Sequence, residues 1–407
     1  MENFDNESTF DILIVPLNEV LSKHAAEVDE AAGSKKLFFA DFAKSLIFGF
    51  VICVGSLRKL VTELATNPAA KSLGLPAIKN STLQEGFTRF PAEAFRMLFV
   101  CLLSTTAFMT VPEIQALGTL YLVDGSLFPV IKTIYWATYK KNQNAIKLHL
   151  AFELNRTLAV EFMVTDGNFN ERSFVTSILK AGITYVMDRG YISFSLFEKI
   201  AKMKAFFVIR AKKNLQYTAV KILDIGPDMP KKMFTSVFDA LVTLNNDNSG
   251  NTYRLVKFSI ANTTFYLLTN RFELSTFQII LIYAYRWQIE LMFRFLKRTM
   301  NGIHLFNNSE NGIQIHFYAL LITAMLQLKL KQDCVAAVEE TQQQQQSEQT
   351  DQTKNQNQSP SCKHSFIKSL GQEFHKYWKL SCHWLITLKN MLSDPFNWKV
   401  VYLLGST

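Results

Sequence analysis

The stretch that decides the fold lies near residue 290 and reads Tyr283-Ala-Tyr-Arg286-Trp-Gln-Ile-Glu290-Leu-Met-Phe-Arg294-Phe-Leu-Lys297. Four polar side chains follow one another here at offsets of three, four and seven residues: Tyr283, Arg286, Glu290 and Lys297. At roughly 100° per residue, these offsets place all four within an arc of about 60° on one face of an α-helix. Trp287 and Arg294 border that face. The pattern predicts one helix that shows a single carboxylate among cations.

The opposite arc of the same helix is apolar, so we expect it to pack into a core. It carries Leu281, Tyr285, Ile289, Met292 and Leu296. An acid held among cations on the exposed side suits a metal ligand that lies beside phosphate groups.

Two upstream aspartates are expected to complete this acidic site. Leu117–Asp124 and Thr184–Asp188 are both short apolar segments that end in an acid, which is typical of buried strands. Strand ends place their carboxylates at one edge of a sheet, and a packed helix can bring Glu290 alongside. Three carboxylates bind hard cations such as Mg²⁺ or Mn²⁺ through oxygen. Two such ions can activate a nucleophile and stabilise a leaving oxygen in phosphodiester chemistry.

Each acid also has a simpler interpretation. Asp124 begins Asp-Gly-Ser and Asp188 begins Asp-Arg-Gly, and both sequences favour turns. Glu290 flanked by two arginines at four-residue spacing is often a solvated salt-bridge face. Asp166 is a rival acid, although Thr165-Asp-Gly favours a turn. The joint occurrence of the three acids at these junctions favours the site.

The central part of the chain predicts a mixed α/β sheet. Two strands over 145–152 and 158–164 flank Asn155-Arg-Thr, a hairpin signal. Helices and strands then alternate, with helices predicted at 170–180 and 194–204 and strands at 184–188 and 205–210. A β-rich block follows, in which 252–260 and 263–269 form a second predicted hairpin.

The domain organisation follows from these changes in pattern. We expect a helical N-terminal domain that either binds DNA or has a pure packing role, since its sequence does not spell out a helix-turn-helix. We further expect a catalytic core in two parts separated by a β-rich insertion, a flexible glutamine-rich linker and a helical C-terminal region. The predicted ranges are 1–115, 116–212, 213–272, 273–332, 333–363 and 364–407.

Composition restricts the classes of partner and compartment. The chain has 407 residues and a formal net charge of +9, which favours an anionic partner such as nucleic acid. Its five cysteines are odd in number and contain no CxxC pair, as expected in a reducing cytoplasm. The polar start is unlike a secretory signal. The apolar runs at 46–57 and 97–111 fall short of the ~20 residues of a membrane span, so we expect buried helices and no membrane.

Several other residues have two interpretations. Arg210 ends a predicted strand and is expected to face DNA, or to lie in a solvated loop. Trp287 either stacks on an extruded base or fills the core. His149 lies near the metal site or is a hydrogen-bonded structural residue. Cys362-Lys-His364 and Cys382-His383 fit no common zinc spacing.

Taken together, these motifs resemble the DDE transposases of bacterial insertion sequences, in the insertion-sequence-4 type group with a Tyr-x2-Arg-x3-Glu-x6-Lys signature. The helix near residue 290 matches that signature in full. Tyr121-Leu-Val-Asp124-Gly-Ser resembles the first-acid motif, and Asp188-Arg-Gly-Tyr191 resembles the second. Trp136-Ala, Ile146-Lys-Leu-His149 and Thr269-Asn-Arg271 also resemble family segments. The resemblance extends from about 117 to 330.

The resemblance implies a ribonuclease H-like catalytic core interrupted by a β-rich insertion. It also implies that Asp124, Asp188 and Glu290 hold two Mg²⁺ or Mn²⁺ ions. Water would cut the element's ends, a DNA hairpin would form and reopen, and the freed 3′-hydroxyl would attack target DNA. Arg286 and Lys297 would grip phosphates, and Tyr283 would hydrogen-bond one. Arg294 would lie at the border of this DNA-binding face.

The resemblance further implies double-stranded DNA as substrate, a homodimer in the synaptic complex and a location at the bacterial nucleoid in the cytoplasm. Two other hypotheses remain open on sequence grounds. One is a ribonuclease H-like nuclease that cuts without joining, and the other is a catalytically inactive or repurposed DNA-binding protein.

Overall fold

The computed structural model of the chain describes residues 9–33, 36–106, 108, 112–130, 134–140, 143–229, 234–260 and 263–351. These residues form two compact units. One comprises the described residues up to 108 together with those from 294 onward, and the other comprises 112–293.

The helices of the described chain are α1 (Thr9–Ala32), α2 (Phe39–Val51), α3 (Leu57–Thr66), α4 (Pro68–Ser72), α5 (Asn80–Arg89), α6 (Ala92–Thr105), α7 (Pro112–Gln115), α8 (Glu171–Ser177), α9 (Phe194–Lys202), α10 (Thr276–Ala284), α11 (Trp287–Arg294) and α12 (Glu310–Asp351). Two shorter turns are a 3-10 turn at Arg189–Tyr191 and a π-helical turn at Phe295–Thr299.

The first unit is helical and built around aromatic side chains. Phe42 of α2 lies at its centre, with ring centroids 5.1 Å from Phe87, 5.3 Å from Phe90 and 5.9 Å from Phe95. A Cβ at Gly86 would lie 2.7 Å from the Phe42 ring, so a glycine is needed where α5 crosses it. The predicted helical character of the N-terminal region is thus observed, while its DNA-binding role stays a prediction.

Helix α12 departs from the sequence prediction at its C-terminal end. A flexible linker is predicted from 333, but the helix continues through the glutamine run to Asp351. Glutamine has good intrinsic helix propensity, which a composition argument for disorder leaves out. The predicted C-terminal helical region at 364–407 lies outside the described residues, as do the cysteine–histidine pairs near 362 and 382.

One segment has the length and composition of a membrane span. It is Glu310–Cys334 within α12, and 78% of its most apolar window is buried inside the protein. Burial of this kind is also found in core helices of soluble proteins. The two apolar runs noted in the sequence, at 46–57 and 97–111, contribute the buried positions of α2 and α6.

The second unit contains one ten-stranded mixed sheet. Its strands are β1 (Leu120–Val130), β2 (Thr138–Lys140), β3 (Gln143–Glu153), β4 (Leu158–Asp166), β5 (Thr184–Met187), β6 (Phe206–Arg210), β7 (Tyr217–Ile222), β8 (Ser236–Leu244), β9 (Thr252–Ile260) and β10 (Thr263–Thr269). The strand order is β2-β3-β1-β5-β6-β10-β9-β8-β7, and β4 pairs with β3.

Strands joined by short turns pair antiparallel, and strands joined through helices pair parallel. The β1–β3 and β3–β4 pairs are antiparallel, and the predicted hairpin at Asn155 is confirmed. The β1–β5 and β5–β6 pairs are parallel, and helices α8 and α9 lie on their crossovers. The mixed α/β prediction is therefore confirmed.

The β-rich segment after Arg210 is not detached from this sheet. β10 pairs with β6, and β9, β8 and β7 continue from it, so the segment extends the central sheet at one edge. The predicted hairpin of 252–260 and 263–269 matches β9 and β10 in both bounds.

A buried ion pair ties this extension to the start of α10. Arg254 of β9 donates from Nε and Nη2 to Asp239 of β8, at 2.9 and 2.7 Å. The same guanidinium donates to the Leu274 carbonyl at 2.5 Å, and Thr276 Oγ1 donates to Asp239 at 2.8 Å. Charges this deeply buried are stable only when fully paired. The strands of the extension therefore fix the first turn of the helix that precedes Glu290.

We predict that Asp239→Ala lowers the free energy of unfolding of this unit by about 3–5 kcal/mol, because it leaves Arg254 buried without its counterion. Urea denaturation followed by circular dichroism measures the change. The matched control is Glu198→Ala, which removes the exposed Lys202–Glu198 pair and should cost less than about 1 kcal/mol. Equal effects of the two substitutions would show that the buried pair does not anchor the extension.

Candidate active site

Two of the predicted acids follow the paired ends of neighbouring strands. β1 and β5 pair in parallel register as Leu120↔Thr184, Tyr121↔Tyr185 and Leu122↔Val186. Asp124 lies two residues after Leu122, and Asp188 lies two residues after Val186. The sheet therefore carries both acids towards the same edge, just beyond the last paired residues.

The strands stop pairing just before the acids. β1 and β5 pair only as far as Leu122 and Val186, and β5 ends at Met187. β1 instead continues to Val130 along β3. A crevice between parallel strands at their carboxyl ends is where open α/β sheets bind ligands. Asp124 and Asp188 stand at its mouth.

The position of Asp124 differs from the prediction in one respect. The sequence predicts that its strand ends at the acid, and it also allows a turn at Asp-Gly-Ser. In the structure Asp124 lies in the middle of β1, because Gly125–Val130 continue to pair with β3. The strand ladder overrides the local turn preference. For Asp188 the prediction is confirmed, since it directly follows β5.

The helix that carries Glu290 is interrupted, which corrects the prediction of one continuous helix. α10 ends at Ala284 and α11 begins at Trp287. Between them, the backbone amides of Arg286 and Ile289 donate to the carbonyls of Tyr283 and Arg286, three residues back in each case. These tighter turns lie at Arg286, whose guanidinium is buried beside two of the acids.

Arg286 connects the acids. Its Nη2 lies 2.5 Å from Glu290 Oε1, and its Nη1 lies 3.6 Å from Asp124 Oδ2. Only 8% of the Arg286 side chain is exposed, against 25% for Asp124 and 32% for Glu290. The guanidinium is therefore enclosed, while the carboxylates keep an open side from which a ligand can reach them.

The third acid joins the group through Tyr283. The Tyr283 hydroxyl donates to Asp188 Oδ1 at 3.4 Å. Burial raises the pKa of Tyr283 to about 12, so it remains a neutral donor. Asp188, together with Tyr283, Glu290 and Asp124, raises the pKa of Arg286 against the opposing effect of its burial. One guanidinium is thus within electrostatic reach of all three carboxylates.

The charge of the site is not balanced. Burial raises the pKa of Asp124 to about 6, and Arg286 and the Gly125 amide lower it only in part. Glu290 and Glu171 raise it further by like-charge repulsion. Keeping Asp124 ionised at neutral pH therefore costs free energy. An additional bound cation would lower this cost.

Glu171 is a neighbouring acid that the sequence analysis does not identify. Its Oε1 lies 2.5 Å from Lys147 Nζ. A Cβ at Gly125 would lie 3.0 Å from Lys147 Cε and 3.2 Å from Glu171 Oε1, so both side chains pack closely against the backbone beside Asp124. The signal available in the sequence was Asn170, a residue type that favours helix N-caps, which caps α8 and places Glu171 in its first turn.

Two buried polar residues lie close by. His149 Nε2 is 2.9 Å from Thr165 Oγ1, and burial lowers its pKa to about 4, which agrees with a structural histidine. The Tyr191 hydroxyl is buried without a hydrogen-bond partner among the described residues, and burial raises its pKa well above the usual value, with smaller contributions in the same direction from Asp124, Glu171 and Asp188. The turn after Asp188 is therefore packed directly behind the acids.

The other predicted residues have different positions. Arg210 ends β6 and lies 5.2 Å from the Phe265 ring, and it is near enough to influence the pKa of Tyr283. Trp287 is a core residue with 8% exposure. Arg294 is exposed at the end of α11, and Lys297 is half-buried on the π-helical turn, where burial lowers its pKa. Their contacts with DNA stay predictions.

Asp166, the alternative acid considered from the sequence, stabilises a turn. Asp166 ends β4, and its Oδ1 accepts a hydrogen bond from the Asn168 amide at 2.8 Å. This is the local bonding typical of an Asx turn.

The carboxylates have the chemistry of a divalent-cation site. Asp124, Asp188 and Glu290 supply hard oxygen ligands, and Asp124 is destabilised by the excess of negative charge. Among the described residues no three acidic, histidine or cysteine side chains are placed to hold one ion. The Arg286 guanidinium lies between Asp124 and Glu290, which explains why the predicted cluster is not closed in this arrangement.

The sequence of this chain matches a known protein family. The family model described as "Transposase DDE domain" matches residues 116–326, which cover the entire sheet and the helices α10 and α11.

Similar proteins agree with this match. A protein of Sinorhizobium fredii whose name describes a transposase is 28% identical over 249 residues, 60% of this chain and 69% of its own length. The protein named for insertion sequence element IS5377 of Geobacillus stearothermophilus is 26% identical over 255 residues, 62% of this chain and 67% of its own. The protein named for element IS4SA of Synechocystis is 27% identical over 214 residues, 50% of this chain and 60% of its own.

The raised pKa of Asp124 predicts a pH-dependent stability. The folded carboxyl, with a pKa of about 6, binds its proton more tightly than the unfolded carboxyl, whose pKa is 3.8. Stability from this group is therefore fully present below about pH 4 and is lost as the pH rises through about 6. We predict that Asp124→Asn, measured by urea denaturation in EDTA, is more stable than wild type at pH 8 by about 2–3 kcal/mol.

This gain should disappear below about pH 4. Asp224→Asn, at an exposed position, is the control and should change stability by less than about 0.5 kcal/mol at either pH. A wild-type protein that is more stable than Asp124→Asn at pH 8 would contradict the strained-carboxylate interpretation.

Proposed function

The chain belongs to the transposase DDE domain family, and we propose that it is an insertion-sequence transposase that cuts the ends of its element and joins them to target DNA. One observation carries the proposal. Arg286 links Asp124 of β1 to Glu290 of α11, while Asp188, which directly follows β5, accepts a hydrogen bond from Tyr283 and acts electrostatically on Arg286.

The proposed catalytic residues are Asp124, Asp188 and Glu290. Proteins of this family generally depend on divalent metals, and bound Mg²⁺ or Mn²⁺ would activate the attacking hydroxyl and stabilise the leaving oxygen. These three side chains would hold the cations through oxygen. Tyr283 orients the Asp188 carboxyl by its hydrogen bond, and Arg286 fixes the directions of the other two.

Arg286 has a further proposed role towards DNA. In the free protein its charge offsets part of the repulsion among the acids. A guanidinium presents several donors in a rigid plane and binds phosphate in a bidentate manner. Arg286 would therefore bind a DNA phosphate when cations occupy the carboxylates, with Arg210 and Lys297 as additional phosphate contacts.

The finer features of the family resemblance belong to the same proposal. The three antiparallel strands β1, β3 and β4, followed by the parallel strands β5 and β6, support a ribonuclease H-like core. The proposal includes cleavage of the second DNA strand through a hairpin. It also includes two copies of the protein that bring the two ends of the element together.

Substitution of one acid should abolish the chemistry. We predict that Asp188→Ala reduces Mg²⁺-dependent cleavage of the element's ends by at least about 10³-fold, because it removes one of the proposed cation ligands. The assay measures nicking of a labelled duplex that carries an end of the element. Asp166→Ala is the matched control: an acid at a strand end that the structure places in a turn.

The control variant should cut like wild type. If Asp188→Ala cuts as well as the control, the assignment of the acids is wrong. The same reaction with a target plasmid separates a transposase from a nuclease, since a nuclease would cut without joining. A wild-type chain that binds the end but never cuts it would identify a catalytically inactive DNA-binding protein.

Cation binding can also be tested without catalysis. We predict that Mg²⁺ or Mn²⁺ raises the melting temperature of the wild-type protein, since a ligand at about 100 times its Kd stabilises by about 2.7 kcal/mol. The double variant Asp124→Asn/Asp188→Asn should lose this shift, as it removes two carboxylates. The Asp166→Asn variant should keep it. A shift of equal size in the double variant would place the cations elsewhere.

A further inference from the structure

A cavity of about 450 Å³ in the same unit is lined by residues that directly follow Asp188 in the chain, and it has no role in the proposal above. Its polar wall includes three cations: Arg172, Arg189 and Lys212. Arg189 directly follows Asp188, and Arg172 directly follows Glu171. The cavity is therefore built from the continuations of the segments that carry the acids.

The cations of this cavity are available to a ligand. Within the part of the chain that the structure describes, no ion pair with an acidic side chain is found for Arg172, Arg189 or Lys212. Arg172 donates to the Gly190 carbonyl at 3.2 Å, which fixes the wall of the cavity without neutralising its charge. Arg189 and Lys212 are exposed. Three clustered positive charges without counterions favour an anion with several oxygen atoms.

The remaining wall offers contacts for a base. Phe194 provides an aromatic surface, and Asn214 and Asn246 provide amide groups that both donate and accept hydrogen bonds. A volume of about 450 Å³ lies within the range of about 300–1,000 Å³ that is usual for small-molecule sites. This is room for one nucleotide, whereas a stacked base pair needs an open groove. The combination of cations, amides and an aromatic ring is that of single-strand binding sites.

We propose that this cavity binds one unpaired nucleotide of a DNA strand, with its phosphate on Arg189 and Lys212 and its base against Phe194. Arg172 completes the phosphate site and holds the turn at Gly190. The strand is the one that passes Asp188, since Arg189 is its neighbour in the chain. This inference rests on the proposed function, because it takes DNA as the substrate, but it concerns binding and needs no cleavage.

The experiment compares two doubly substituted full-length proteins. Arg189→Gln/Lys212→Gln removes two exposed charges from the cavity, and Lys202→Gln/Lys221→Gln removes two exposed charges elsewhere in the unit. Fluorescence anisotropy in EDTA measures the binding of a labelled 12-nucleotide single strand and of a fully paired duplex over a range of salt concentrations. Since all four positions are exposed, both proteins should fold, and circular dichroism checks this.

We expect the cavity variant to bind the single strand about 10-fold more weakly than the control variant. The slope of log K against log salt should fall by about 0.7, which corresponds to one phosphate contact on a single strand. Binding of the fully paired duplex should change much less. The additional substitution Phe194→Leu should weaken single-strand binding again, because it removes the stacking surface.

Several outcomes would overturn the inference. Equal single-strand affinity and salt slope in the cavity and control variants would remove the phosphate site. An equal loss for duplex and single strand would show a general electrostatic surface rather than a nucleotide site. If the wild-type protein shows no salt-dependent binding of the single strand, the nucleotide site is excluded as well. If Asp188→Ala abolishes cleavage while the cavity variant binds normally, this inference fails and the proposed function stands.

Discussion

The Arg286 guanidinium is the interaction on which the arrangement of the acidic site depends. It contacts Glu290 and Asp124, which are far apart in sequence, and its charge also reaches Asp188. Without it, three carboxylates around one crevice would repel each other in a partly buried environment. The break between α10 and α11 lies at this arginine, whose pair with Glu290 keeps the four-residue spacing of a regular helix. The acids are therefore held together by one buried guanidinium.

The sheet determines the rest of the geometry. The parallel strands β1 and β5 carry Asp124 and Asp188 to the same edge of the sheet, and their pairing ends just before the two acids. The edge extension of β10, β9 and β8 then fixes the start of α10 through Arg254 and Asp239. Two independent constraints, one from the strand ladder and one from a buried ion pair, thus converge on the same group of side chains.

Much of this could be predicted from sequence, for identifiable reasons. Apolar segments that end in acids are local signals, and they identified the strands and the hairpins, while the spacing from Tyr283 to Lys297 predicted residues that the structure brings together in part. What failed depends on tertiary contacts. β1 extends past Asp124 because β3 pairs with it, and the break between α10 and α11 has no local sequence signal. Glu171 was missed because its neighbour Lys147 is brought to it only by the sheet.

The buried pair in the extension has a consequence for how such proteins can diversify. The start of α10 is held by Arg254 of β9 and Asp239 of β8, and also by Asp228 between β7 and β8, which accepts a hydrogen bond from Ser275 Oγ at 2.5 Å. β7 itself lies at the outer edge of the sheet with mostly exposed residues and makes none of these contacts. Its sequence can therefore change with little effect on the position of Glu290. The two inner strands are constrained, since Asp239 and Arg254 hold the helix that precedes Glu290. Relatives with different edge strands are therefore compatible with the same arrangement of acidic side chains.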